Sequence, residues 1–404
     1  MQRRAFMAAG AAALTARAYS QVRGANERLR WGLIGCGVQG THHLGSILKM
    51  AESDNVEVAA VCDVFDKRAE QAGALAPGAK RYRDYRRMLE RKDLDYVTVA
   101  TPDHAHGRLA LAALEAGKHV YIEKPMTHTV EEAKQVVAAA ARTGRKVQVG
   151  VQSMSDDSYE TAYRYVQEGA LGKVVMAQID YSRNYRGDDF WLKPVDPDLR
   201  PGKNFDWDLF LGPAPQRPFD PDRYFQWIRY WDYSGGVPTG LLVHRVTRII
   251  KALGLTVPES GSAHGGKFQF TGSRAEIPDT VNVMLDYPGG PTVLLVSSLA
   301  NDTAIEHTLR GHKATLHFHA NGFTIWPQKV WAGEVKEIVH QRTGAEDVRL
   351  HHRNLMNAIR LGEPLKCDAT LGYYGTVAGQ FGVKSYRARK YMVWDREKQD
   401  IVAS

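Results

Sequence analysis

Residues 29–40 read LRWGLIGCGVQG, and this stretch decides the fold. Its first six residues are an apolar, β-prone run, and helix-forming residues 41–50 follow it. Between them, Gly35, Gly37 and Gly40 form the spacing G-x-G-x-x-G. In a strand–turn–helix unit, the first glycine permits a tight turn, the second lets the backbone approach a diphosphate, and the third allows close helix packing. The free N–H groups at the helix start attract the phosphates. The stretch therefore predicts a dinucleotide-binding domain.

An acidic residue follows the next predicted strand. The run Val56–Cys62 ends in Asp63, which lies 23 residues beyond Gly40. A carboxylate at this position accepts hydrogen bonds from the adenosine ribose hydroxyls and repels a 2′-phosphate. We therefore expect NAD rather than NADP, although Lys67 and Arg68 are close enough in sequence to contact a phosphate.

Strands and helices then alternate as far as residue 150. Two motifs, TPDHAH (101–106) and EKP (123–125), directly follow predicted strands. This alternation predicts a parallel, doubly wound sheet, in which ligands bind at the carboxyl ends of the strands. The strands are expected at 96–100, 119–122 and 146–150, and the helices at 107–116 and 130–143.

The second half of the chain has a different pattern. Four β-branched runs separated by Gly/Pro turns predict strands of a second sheet. They are KVVMAQIDYS (173–182), GSAHGGKFQF (261–270), TVNVMLDYP (280–288) and TVLLVSSLA (292–300). Residues 181–233 are rich in Tyr, Trp, Arg and Asp, which suits sugar rings as well as ordinary core packing.

Composition argues against several classes of protein. The net charge of +8 comes from bases mixed with acids, and the most basic stretch, 81–92, is interpreted as a solvated helix with Tyr85, Met88 and Leu89 facing inward, so we expect no nucleic-acid partner. No apolar run is long enough to span a bilayer. The three cysteines lack zinc or disulfide-framework spacing, and no metal site is expected, although His317 and His319 alternate on one strand.

The first residues have the features of an export signal. Residues 1–18 contain the pair Arg3-Arg4, a short Ala-rich run and a small-x-small ending, so we expect a twin-arginine signal peptide followed by a linker, 19–28. This predicts the export machinery as a partner and a periplasmic or secreted protein. Removal of the signal peptide lowers the net charge from +8 to +5, because Arg3, Arg4 and Arg17 are lost. We hypothesise that the cofactor is loaded before export and held tightly.

Together the motifs resemble the glucose–fructose oxidoreductase/inositol dehydrogenase/MocA family over residues 29–395. GLIGCGVQG, TPDHAH and EKP match its N-terminal signatures, and WDLFLGPAPQRPFDPDRY (207–224), NLMNAIRLGEP (354–364) and YMVWD (391–395) are similar to its exported branch. The resemblance implies a Rossmann domain, 29–150, and a C-terminal α/β domain, 151–395, with a large, mainly antiparallel open sheet, followed by a tail, 396–404. It also implies a homo-oligomer.

The resemblance further implies site residues. Lys124, the EKP lysine, would contact the reacting hydroxyl and the nicotinamide region, and His244 matches the acid/base histidine of an Asp-x-x-x-His pair. Gly240 stands where that aspartate is expected; the acid/base role is still preferred for His244, and a packed helix histidine is the alternative. Thr101 and Pro102 would shape the nicotinamide pocket. The expected cofactor contacts are Gly35, Gly37, Val38, Gln39, Gly40, Asp63, Thr101, Pro102, His106, Glu123 and Lys124.

Three functions remain open on the sequence alone. The first is an NAD-dependent oxidoreductase that acts on a secondary hydroxyl of a sugar or polyol. The second is a glycoside hydrolase that uses the same cofactor for transient C3 oxidation without net redox change. The third is a non-catalytic sugar-binding relative, which only Gly240 supports. His106 could contact the cofactor directly or only support the start of a helix.

Overall fold

The computed structural model describes residues 27–404. The predicted signal peptide and most of the predicted linker lie outside the described residues, so twin-arginine export stays a prediction. Within the described residues, no helix is both long enough and apolar enough to cross a membrane.

The first domain is a parallel sheet with helices packed against it. All its neighbouring strands pair in parallel, in the order β3-β2-β1-β4-β5-β6, as the sequence predicts for a doubly wound sheet. The strands are β1 (Leu29–Ile34), β2 (Val56–Cys62), β3 (Lys80–Tyr82), β4 (Tyr96–Val99), β5 (His119–Ile122) and β6 (Val147–Val149). The helices are α1 (Val38–Met50), α2 (Asp66–Leu75), α3 (Tyr85–Leu89), α4 (Asp103–Glu115) and α5 (Val130–Thr143).

Helices α1 and α4 begin earlier than the sequence pattern indicates. Helix α1 begins inside the glycine motif, at Val38, and α4 begins inside TPDHAH, at Asp103. Both motifs therefore present helix N-termini at the strand ends. Helix α5 agrees closely with prediction because a capping box between Thr129 and Glu132 begins it and Gly144, in the left-handed region, ends it.

The second domain is built on a ten-stranded sheet of order β14-β13-β12-β11-β7-β10-β9-β8-β15-β16. Only β7 and β10 pair in parallel. Its strands are β7 (Val174–Asp180), β8 (Ser260–Gly266), β9 (Thr280–Asp286), β10 (Thr292–Ser298), β11 (His307–Gly311), β12 (Ala314–His319), β13 (Gly322–Pro327), β14 (Ile338–Gln341), β15 (Met392–Asp395) and β16 (Asp400–Ala403). Its α-helices are α6 (Ser158–Gln167), α7 (Trp207–Leu211), α8 (Pro221–Phe225), α9 (Val243–Leu253), α10 (Val348–Leu361) and α11 (Ala369–Ala388), and a π-helix (Pro238–Leu242) precedes α9.

Two sequence expectations for this domain are wrong. The predicted strand 261–270 ends at Gly266, because the N–H groups of residues 268–270 all donate to one carboxylate oxygen of Asp279 instead of a neighbouring strand. The predicted tail 396–404 contains β16, which pairs with β15. Lys384 of α11 binds both the Asp400 carboxylate and the Ile401 carbonyl, which ties this last strand to the domain.

Helices of the second domain pack against helices of the first. Helix α10 packs on α1, and α11 packs on α5. One continuous apolar cluster includes Val99 of β4, Leu109 of α4, Val283 of β9 and Phe381 of α11. The two domains therefore have a common apolar core.

Candidate functional site

A cavity of about 540 Å³ lies between the domains, where β1, β2, β4 and β5 end. It runs from the glycine loop to α9, so the predicted cofactor-binding residues and the predicted catalytic residues line the same cavity. Of the predicted site residues, those lining it are Gly35, Gly37, Val38, Gln39, Asp63, Thr101, Pro102, His106, Glu123, Lys124 and His244. Gly40 is set behind the loop rather than in the lining.

The glycine loop has the geometry that a diphosphate requires. Gly35 has φ +94°, a conformation that L side chains rarely adopt. A Cβ on Gly40 would lie 1.8 Å from the Gly35 carbonyl oxygen, so helix and loop could not approach as they do. A Cβ on Gly37 would meet nothing closer than an Arg68 guanidinium nitrogen at 3.7 Å, which leaves this backbone open to a ligand. The loop and the α1 N-terminus together fit the phosphates of a dinucleotide.

Asp63 is buried and already oriented. Its carboxylate accepts hydrogen bonds from the backbone N–H of Cys36, at 2.7 Å, and of Phe65, at 2.9 Å. Burial raises the pKa of Asp63, although the Arg68 charge and the two N–H donors oppose this. A carboxylate fixed at the end of β2 is in the position to bind a ribose.

The two basic neighbours of Asp63 point in different directions. Lys67 turns away to Asp196 and Asp198, both on the loop 181–206 of the second domain. Arg68 stays in the cavity, where it donates to the Tyr224 hydroxyl at 2.8 Å and lies over the rings of Tyr224 and Phe225. Of these two bases, Arg68 is therefore the one that can contact a cofactor.

Glu123 is the centre of a buried network that sequence analysis missed. Its Oε1 atom accepts from Gln39, at 3.0 Å, and Gln152, at 3.0 Å, and contacts the His43 ring at 2.9 Å. The other His43 ring nitrogen lies 2.9 Å from His352 of α10. Burial by itself would raise the pKa of Glu123, but the His43 hydrogen bond and the nearby His43 and Lys124 lower it to about 2. No signal in the sequence joins residues separated by 309 positions.

Lys124 reaches across the cavity to the residue that replaces the expected aspartate. Its ammonium donates to the Gly240 carbonyl oxygen at 2.9 Å. Gly240 lies in the π-helix, a feature frequent at functional sites. A Cβ there would meet only Ile228 and Trp191, at 3.8 and 3.9 Å, so the missing side chain leaves open space. At this position the contact with Lys124 therefore comes from the backbone and not from a side chain.

His244 faces the cavity, where its ring packs against Tyr181. Its Nδ1 atom is buried and has no hydrogen-bond partner. Burial, followed by the positive charges of Lys124 and Arg248, lowers the pKa of His244 well below its usual value. The imidazole is therefore neutral at neutral pH.

The two histidines of TPDHAH make hydrogen bonds with backbone carbonyl oxygens. The two ring nitrogens of His106 lie 2.7 Å from the Pro125 carbonyl oxygen and 2.9 Å from that of Thr101, so this ring joins the two strand-end motifs. These contacts fit the supporting alternative, while His106 also lines the cavity, so its contact with a cofactor stays a prediction. His104 contacts the Phe210 carbonyl oxygen at 2.7 Å, and burial lowers its pKa to about 3.

Tyr181, directly after β7, is a cavity residue whose importance sequence analysis did not single out. Its hydroxyl accepts from Arg183 at 3.2 Å, and its ring packs edge-on against His244, with 5.8 Å between ring centroids. The guanidinium carbons of Arg245 and Arg183 lie 4.3 and 5.3 Å from the ring centroid. The ring therefore lies beside two cations and the candidate histidine.

Metal ligands do not gather here. Across residues 27–404, no group of three or more His, Cys, Asp and Glu side chains is arranged to hold a metal ion. His317 packs against Trp326, and His319 contacts Thr324.

Curated relatives match part of the chain. Inositol 2-dehydrogenase of Salmonella typhimurium is 33% identical over 159 residues, which is 39% of this chain and 46% of that protein. Inositol 2-dehydrogenase 2 of Saccharopolyspora erythraea is 38% identical over 146 residues, 36% of this chain and 42% of that protein. The chain thus spans less than half the length of these relatives.

Solved structures match nearly the whole fold. Levoglucosan dehydrogenase in complex with NADH has a TM-score of 0.69 at 17% identity, covering 90% of this chain and 98% of that one. The WlbA dehydrogenase of Bordetella pertussis, in complex with NADH and UDP-GlcNAcA, has a TM-score of 0.66 at 21% identity, covering 91% and 99%.

Family models match along most of the chain. Residues 29–151 match an oxidoreductase family's NAD-binding Rossmann fold, and residues 158–255 and 215–393 match two C-terminal α/β domains of that family. The chain therefore belongs to the glucose–fructose oxidoreductase/inositol dehydrogenase/MocA family of oxidoreductases, with an NAD-binding Rossmann domain.

Proposed function

We propose that the protein is an NAD-dependent oxidoreductase that acts on a secondary hydroxyl of a sugar or polyol. The observation that carries this proposal is the single cavity that joins the glycine loop and Asp63 to Lys124 and His244. The glycine loop and Asp63 would hold a dinucleotide at the strand ends, and Lys124 lines the same cavity. The inositol 2-dehydrogenases among the relatives support the substrate class.

The residues of the chain divide the work. The Gly240 carbonyl oxygen holds the Lys124 ammonium at the cavity wall, where it donates to the reacting hydroxyl. Neutral His244 offers a second hydrogen bond to the substrate. The nicotinamide, when bound, supplies a hydride acceptor or donor. Half-buried Lys124 and buried His244 keep this region shielded from bulk water.

The two other functions have less support. The relatives and solved structures named for this chain are dehydrogenases, which does not favour the glycoside hydrolase. A non-catalytic sugar binder is favoured by Gly240 alone, whose carbonyl oxygen still contacts the Lys124 ammonium. Homo-oligomerisation stays a prediction.

One experiment tests the proposal directly. The purified protein is denatured and the released nucleotide identified; intact protein is then mixed with NAD and with myo-inositol, levoglucosan and a panel of sugars while NADH absorbance is followed. We expect NAD to bind and at least one polyol to produce NADH, and Lys124→Met to lose turnover while still binding NAD. Release of an aryl group from aryl glycosides without any NADH signal would instead establish the hydrolase.

A further inference from the structure

His244 lacks the carboxylate partner that helps a histidine to transfer a proton. In a paired arrangement a carboxylate orients the ring and stabilises its charged form. Here Gly240 provides no carboxylate, the His244 Nδ1 atom has no partner, and the charges of Lys124, Arg248, Arg245 and Arg183 all oppose a second proton. His244 is therefore poorly suited to take up the substrate proton.

Tyr181, by contrast, has neighbours that stabilise its charged form. Arg183 donates to its hydroxyl, Arg245 stacks on its ring, and its partly exposed side chain lines the same cavity as Lys124. Among the described residues, neither Arg183 nor Arg245 forms an ion pair with a carboxylate, and the Nε atom of Arg245 is buried without a partner. Both positive charges can therefore stabilise a negative charge on the phenol oxygen, although Arg183 also donates to Tyr185.

The acidity of the phenol follows from these contacts. Burial by itself would raise the pKa of Tyr181, but the Arg183 hydrogen bond and the charges of Arg183, Arg245 and Lys124 bring the pKa below its ordinary value. The groups that face the phenol are Arg183 from its own loop, His244 and Arg245 from α9, and Lys124 from the end of β5. His244 is neutral and does not oppose this effect.

We propose that Tyr181, rather than His244, exchanges the hydroxyl proton of the substrate. The inference rests on the proposed oxidoreductase function. In the oxidising direction, the O–H bond of the alcohol breaks and its proton passes to the Tyr181 phenolate. The C–H bond breaks and its hydride passes to oxidised nicotinamide, so the alcohol becomes a ketone and the nicotinamide is reduced. Tyr181, which is partly exposed, then releases its proton to water, and Lys124 and His244 orient the hydroxyl.

The kinetic test removes the hydroxyl and keeps the ring. With the best substrate from the polyol panel, Tyr181→Phe is expected to lower kcat by about 100-fold or more with KM little changed, as loss of a general acid/base requires. Wild-type kcat for oxidation should rise with pH through the ionisation of Tyr181, and this limb should vanish in the variant. Tyr185→Phe is the matched control, because Tyr185 also accepts from Arg183 but is not among the cavity-lining residues. A raised KM with an unchanged kcat limb would overturn the proposal.

A second measurement needs no substrate. The phenolate absorbance of the NAD-loaded protein is titrated with alkali and compared with that of Tyr181→Phe. We expect the wild type to contain one tyrosine that ionises early and the variant to lack it, and we expect Arg245→Gln to move this ionisation to higher pH. If no polyol reacts but the early phenolate is present, the proposed oxidoreductase function fails while the acidified phenol stands. Its absence from the wild type overturns the inference.

Discussion

Gly240 shows how much one missing side chain changes in this site. Its backbone carbonyl contacts Lys124, while a Cβ added to it would meet no side chain closer than 3.8 Å, so the space for a carboxylate is left open. Because no acid stands beside it, His244 is buried, neutral and unpartnered at Nδ1. The missing carboxylate therefore makes it harder for His244 to hold a second proton.

The glycine motif yields a prediction with a control on the same helix. Gly40→Ala should destabilise the protein by about 1–3 kcal/mol, because the new Cβ would overlap the Gly35 carbonyl oxygen. Gly45→Ala, also in α1, has open space around its Cβ and should stabilise by about 0.5–1 kcal/mol. Denaturant unfolding of both variants measures the difference. Equal effects would show that the helix–loop contact is not tight.

Glu123 predicts a defined pH dependence of stability. Its pKa is about 2 in the folded protein and ordinarily 4.5, so its ionised form stabilises the fold. This contribution is fully present above pH 4.5 and is lost as the pH falls toward about 2. The free energy of unfolding of the wild type relative to Glu123→Gln should therefore shrink by a few kcal/mol across this window. A difference that stays constant with pH would contradict the prediction.

At the scale of elements, the loop 181–206 and helices α7 and α8 cover the nucleotide end of the cavity. Backbone bonds join Asp66 to Asn204 and Asp206 to Val64, and Phe65 belongs to the same apolar cluster as Phe205. This covering segment, residues 181–225, therefore packs directly on the loop that follows β2. We therefore expect this segment to slow the release of a bound dinucleotide, which agrees with the hypothesis of a tightly held cofactor.

The contact between Arg68 and Tyr224 tests this covering role. Tyr224→Phe removes the hydrogen bond that joins Arg68 to the covering segment, and bonds to charged groups contribute about 1.5–3 kcal/mol. We expect NAD to dissociate about tenfold faster or more, since about 1.4 kcal/mol corresponds to a factor of ten. Stopped-flow release of bound NADH into excess NAD measures the rate.

Tyr230→Phe is the control for this experiment. Tyr230 belongs to the same aromatic cluster, but its hydroxyl bonds Asp222 rather than Arg68. An equal acceleration in both variants would indicate general loosening of the cluster instead of a specific contact.

At the scale of the whole molecule, the chain returns to the first domain after building the second. Arg353 of α10 pairs with Asp54, and Gln380 of α11 donates to the His128 carbonyl oxygen. The Val149 N–H of β6 donates to the Cys367 carbonyl oxygen. Neither domain has its complete core without the other.

This shared core predicts cooperative unfolding that NAD shifts as a whole. Thermal unfolding should show one transition, and free NAD at 100 times its Kd should stabilise the protein by about 2.7 kcal/mol. Calorimetry with and without NAD checks both points. Two transitions, of which only one responds to NAD, would show that the domains unfold independently.

The sequence by itself determined the cofactor half of the site. Gly35, Gly37, Asp63 and Lys124 are recognisable because each lies at or just beyond the end of a strand, so local spacing places it at the ligand-binding edge of the sheet. The sheet order, the family and the mainly antiparallel second sheet agree with that interpretation. The local pattern failed where a side chain takes the hydrogen bonds that a neighbouring strand would otherwise accept. Asp279 does this at the end of the predicted strand 261–270.

Only the tertiary structure decided the contacts between distant segments of the cavity. The Glu123–His43–His352 network and the group of Tyr181, Arg183 and Arg245 join segments that are far apart in sequence, and no periodicity links them. The protonation of a side chain depends on burial and neighbouring charges, which folding creates. For that reason the sequence could name His244, but only the folded protein shows it neutral and unpartnered at Nδ1 beside an acidified Tyr181.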